Sequence, residues 1–135
     1  MSHVSFHIGD FVIAQYKTGE YIGEIAETAN SRKVAVRVLA VSKHPTQGDL
    51  HHPMNPHVPF FHQRKALSHQ EIALMPIEHV SSYEGEILPY ASSLQDSWRH
   101  EMQRMQLLQE TPDHREWAMR CLEQLELLGS EYSFT

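Results

Sequence analysis

The sequence predicts an α+β protein, a small β-barrel followed by a C-terminal αα-hairpin. Three observations predict it. Up to about residue 83 the chain reads in short β-branched and aromatic runs, punctuated by Gly, Asn, Pro and Asp. From about residue 92 apolar residues recur with a helical period instead. At 135 residues, with 41% apolar and 21% charged, the chain is long enough to bury a core without disulfides or metal. The texture places the barrel in residues 1–85 and the hairpin in residues 92–130, with 84–91 as the joint.

The first strand is expected at residues 11–16, a run of Phe, Val, Ile, Ala, Gln and Tyr. Residues 17–20 read as a turn, with Gly19 free to take positive φ. Tyr21, Gly23 and Ile25 then alternate with Ile22, Glu24 and Ala26, and a glycine inside a strand predicts a bulge or tight bend. After a turn at 29–31, Val34, Val36 and Val38 point one way and Lys33, Ala35 and Arg37 the other. A fourth strand is expected over 66–75, a 3₁₀ turn over 76–80 and a short closing strand over 80–83. Short strands closing on themselves within about 75 residues predict an SH3-like barrel, since closure removes exposed sheet edges. A two-layer α+β sheet is the architectural rival.

The hairpin is written more plainly. Leu94, Trp98, Met102, Met105 and Leu108 make one apolar stripe, and Trp117, Cys121, Leu125 and Leu128 make the second, flanked by Ala118 and Leu122. Ser92 with Gln95 is expected as a capping box, Thr111-Pro112-Asp113 as the start of the second helix and Gly129 as its stop. Two helices on a short loop should pack antiparallel, each stripe serving as core.

Composition excludes several functions. A net charge of −6 opposes nucleic-acid binding, RNA on the barrel included, because phosphate contacts need clustered Lys and Arg. No run of eighteen apolar residues is present to span a bilayer. One cysteine, Cys121, rules out a disulfide framework, and its place on an apolar stripe predicts an inert core thiol. No G-x-S-x-G, P-loop or G-x-G-x-x-G occurs, so no enzyme activity and no cofactor is expected. The expected location is cytoplasmic.

Six of the chain's eleven histidines fall between His44 and His69. Within the loop expected at 43–65, Pro45, Pro53, Pro56 and Pro59 exclude regular helix or sheet. Leu50, Met54, Val58, Phe60 and Phe61 argue for order rather than disorder. Zinc is one reading, with His51, His52, His57, His62 and Asp49 as ligands, although no H-E-x-x-H or H-x-H spacing is present. Protein recognition is another: Phe60 and Phe61 beside Arg64 and Lys65 give aromatic anchors with a charged rim on a proline-stiffened loop. The bland alternative is that both rings plug the barrel end and the histidines fill space. The partner-contact residues expected are Asp49, His51, His52, Phe60, Phe61, Arg64 and Lys65.

These stretches also carry a resemblance. Residues 16–19 (YKTG), 21–24 (YIGE), 43–53 (KHPTQGDLHHP) and 58–67 (VPFFHQRKAL) resemble the hallmark stretches of the kinase-associated protein B family. That resemblance implies a non-enzymatic accessory protein that associates with a sensor histidine kinase of spore-forming bacteria and supports its activity in the sporulation phosphorelay. Members of that family have been called lipoproteins. No acylatable cysteine stands near the start of this sequence, so membrane proximity is expected through the kinase partner.

Overall fold

A computed structural model describes residues 5–134. Strands β1 (Phe11–Tyr16), β2 (Gly19–Glu27), β3 (Lys33–Lys43), β4 (Ile72–Pro76) and β5 (Val80–Ser82) form one antiparallel sheet in the order β4-β3-β2-β1-β5. A 3₁₀ turn (Ile77–His79) joins β4 to β5, and helices α1 (Tyr90–Gln109) and α2 (Arg115–Glu131) follow. The β2–β3 ladder carries three register shifts, and bulges of this kind bend a strand and steepen its twist. The result is a small barrel-like sheet followed by a helical hairpin. Gly23 sits at one shift, where a Cβ would lie 2.3 Å from the Arg37 carbonyl oxygen, so no other residue fits.

Alternation decides which side chains go inside. Val12, Ala14, Ile25, Val34, Val36, Met75 and Val80 fill one end of the sheet together with Phe6. At the other end, Tyr21, Val38, Val41 and Ala66 pack with Leu94 of α1, and Tyr90, Tyr132 and Phe134 cover them. The hairpin has its own cluster of Met105, Trp117, Ala118, Cys121, Leu122 and Leu125. Both expected stripes are therefore core.

Several local expectations need correction. Gly19 does not supply the positive φ of the first turn; Lys17 (φ 46°) and Thr18 (φ 71°) do, the two-residue pattern that matches strand twist. Gly19 is small for another reason, since a Cβ there would meet the Tyr21 hydroxyl at 2.8 Å. The fourth strand is shorter than expected, because residues 66–67 bond to tyrosine hydroxyls rather than to a neighbouring strand. Ser92 and Gln95 make no capping box: Pro89 precedes the helix, and Ser93 inside the first turn donates to the Tyr90 carbonyl and accepts from Val41 N–H. Thr111 closes a separate turn with His114, and α2 begins only at Arg115. Gly129 does not stop α2. It lies inside the helix beneath Trp98, whose ring would be 2.4 Å from an added Cβ.

Candidate functional site

Between β3 and β4 the chain leaves the sheet for an excursion folded against α2. Its inner limb is built by Gln47, which is only 3% exposed. The Gln47 side-chain amide donates to the Arg64 carbonyl (2.9 Å) and to the Pro45 carbonyl (3.1 Å), and its oxygen accepts from Arg64 N–H (2.8 Å). One side chain thus stands in for a strand neighbour. Gly48 N–H adds a bond to the His62 carbonyl (3.0 Å), and Arg64 Nε donates to the Gly48 carbonyl (3.0 Å). Gly48 has φ 102°, and the Phe61 ring comes to 3.0 Å of where its Cβ would be.

The base of the loop is fixed by His44 and Tyr132. His44 Nδ1 faces the Pro45 carbonyl at 2.9 Å, so that nitrogen carries the proton. Its bare Nε2 accepts from the Tyr132 hydroxyl at 2.7 Å, and the same oxygen accepts from Ala66 N–H at 3.1 Å. Burial pushes the Tyr132 phenol up to about 12 and lowers His44, so both stay neutral. Leu67 is held at both ends, by the Tyr21 hydroxyl on its N–H and the Tyr90 hydroxyl on its carbonyl. At the root of the excursion, Thr18 bonds Thr46 through both of that residue's main-chain groups.

The outer limb leans on α2. Arg120 donates to the Pro56 carbonyl and lies 4.5 Å over the Phe61 ring; His57 pairs with Glu116 at 2.9 Å. Asp49 accepts from His51 N–H (2.8 Å) and from His52 Nδ1 (3.1 Å), which hold its carboxyl below the usual range, the backbone bond contributing most. Neither docking nor padding describes the tandem rings together. Phe61 packs into the hairpin cluster, whereas Phe60 is 74% exposed and stacks loosely on His62 (6.3 Å). His51, His52, His57 and His62 are exposed, as are Met54, Leu50 and Lys65; only His44 is enclosed among the loop's imidazoles. Lys65 places its ammonium 6.0 Å over the Tyr132 ring.

The seven expected contact residues therefore lie on one excursion with different surroundings. Asp49, Phe61 and Arg64 also fix its shape, while His51, His52, Phe60 and Lys65 stand outward. Sequence reasoning missed Gln47, Arg120, Tyr132 and the internal role of His44. Only the spacing of Gln47 before a glycine hinted at any of them. The zinc reading finds no ligand set: among the described residues no three His, Cys, Asp or Glu side chains converge. Cys121 is enclosed and its thiol is pushed up to about 12 by burial. Among the described residues no helix is long and apolar enough to cross a membrane.

Comparison with known proteins gives concordant matches. The family model described as kinase associated protein B matches residues 16–133. The kinase-associated lipoprotein B of Bacillus subtilis (strain 168) is 44% identical over 128 residues, covering 95% of each chain. The crystal structure of kinase-associated protein B from Bacillus cereus superposes with a TM-score of 0.78 at 37% identity, covering 95% of this chain and 98% of that one.

Proposed function

The chain belongs to the kinase-associated protein B family, and from that premise we propose a non-enzymatic accessory protein that binds a sensor histidine kinase and supports its activity in a sporulation phosphorelay. It works in the cytoplasm and reaches the membrane through the kinase. The contact surface is the excursion: Phe60 is the anchor, His51, His52 and Lys65 are its outward polar contacts, and Asp49, Phe61 and Arg64 fix its shape. The carrying observation is that a phenylalanine 74% open to solvent stands between Phe61, which packs into the hairpin cluster, and the solvent, two residues before the His62 carbonyl that takes the Gly48 N–H. An exposed ring on a rigid support loses little entropy on docking, which is what a binding anchor requires.

Separating the two rings tests this. Phe60→Ala should weaken association with the kinase by about tenfold and leave thermal stability unchanged, since the ring touches little of its own protein. Phe61→Ala should destabilise the fold by about 1–3 kcal/mol through loss of packing on the hairpin. Calorimetry and a pull-down on both variants suffice. Kinase binding undiminished by Phe60→Ala would remove the anchor from the proposal.

A further inference from the structure

We propose that the recess between the β1–β2 turn and the end of the excursion binds an extended acidic peptide segment of a protein partner, with Lys17, Arg64 and Lys65 receiving its carboxylates. The recess measures about 330 Å³, and its lining includes Tyr16, Lys17, Tyr21, Arg64, Lys65 and Glu71. Three cations face one carboxylate there, in a chain whose net charge is −6. None of the three is in an ion pair among the described residues. Glu71 is already engaged, its Oε1 accepting from Ser68 N–H at 2.9 Å. A second recess sharing Tyr16 and Lys17 continues past Lys43, and its own carboxylate, Glu20, is bonded to Ser42.

The main chain that carries these charges is held rather than floating. Lys17 sits at the tip of a turn that Thr18 ties to Thr46, and the Arg64 backbone is clamped on both sides by Gln47. Ala66 and Leu67 are fixed by tyrosine hydroxyls. Lys65, between these pinned positions, has no hydrogen bond on its main-chain N–H or carbonyl among the described residues. That leaves the N–H and carbonyl of one residue able to pair with an incoming extended chain, which favours a peptide over a free anion. Tyr16, half-buried at its edge, gives the recess an aromatic wall for the aliphatic part of a Glu side chain.

The inference deepens the docking reading for Arg64 and Lys65, but its test does not use the kinase, so either can fail alone. The full chain, isotopically labelled, is titrated with N-acetylated hexaglutamate at low ionic strength and followed by amide shifts. Shifts should concentrate on residues 16–18 and 64–67. Lys17→Glu should weaken binding about fivefold or more, because reversal turns attraction into repulsion. Lys65→Gln, outside the turn, should weaken it as well. Arg32→Glu makes the same charge change at an exposed position outside the recess and should alter affinity less than about twofold. Shifts scattered over the surface, or equal losses in Lys17→Glu and Arg32→Glu, would overturn the site. Inorganic phosphate reproducing the same shifts at the same concentration would overturn the peptide as its occupant.

Discussion

His44 is enclosed completely, its ring nitrogens committed to the Pro45 carbonyl and the Tyr132 hydroxyl. Adding a proton at Nε2 would put two donors, His44 and Ala66, against one phenol oxygen and leave the phenol proton homeless. Burial already lowers the His44 pKa from 6.5, against weaker raising effects of the Pro45 carbonyl and Glu101. The unfolded chain therefore takes up the proton first as pH drops. Stability should be complete above about pH 6.5 and fall below it by up to about 1.4 kcal/mol per unit until the folded protein titrates too. Denaturant titrations between pH 7 and 5 should show that slope in the native protein, reduced in His44→Phe. An unaltered slope would remove His44 as the source of the acid sensitivity. Nothing in the sequence separates His44 from its exposed neighbours, since a histidine before a proline looks the same inside or outside. Phe60 and Phe61 are equally indistinguishable by type. Which one points outward is decided by Gly48 and Arg120, partners remote in sequence.

Elements were far more legible than residues. Alternating valines marked β3, and three- and four-residue spacing marked both helices, because burial of one face imposes its period directly on the sequence. Helix ends were not legible, because Thr111-Pro112-Asp113 closes a turn with equal ease, and because tertiary contact overrides the cap at Gly129. The latter gives an experiment in which two effects have opposite signs. Helix propensity alone makes Gly129→Ala stabilising by about 0.5–1 kcal/mol. The approach of α1 and α2, sealed by the Trp98 Nε1 bond to the Leu125 carbonyl (2.8 Å), leaves no room for that methyl. We expect a net loss of about 1–3 kcal/mol in thermal unfolding. A gain would mean the indole moves aside without cost.

Across the whole molecule, the change of texture between residues 85 and 92 does not coincide with a break in packing. Tyr21, Val38 and Val41 of the sheet share a cluster with Leu94, and Tyr132 and Phe134 close over it. Fluorescence of Trp98 and Trp117, both in the hairpin, should therefore report the same unfolding midpoint as far-ultraviolet dichroism, which also sees the sheet. Two separated midpoints would restore the hairpin as an independent unit.

The phenol of Tyr132 carries this integration to the excursion, where Ala66 and Leu67 have amides bonded to hydroxyls rather than to a ladder. Deuterium uptake at those two positions would then be slow despite their irregular backbone; at Ala66 its rate would report release of Tyr132, whereas at Leu67 it would follow Tyr21 of β2. In Tyr132→Phe the Ala66 amide should exchange rapidly while Val36, in mid-sheet, keeps its protection. The excursion would thus carry its own clock for how often its base comes undone.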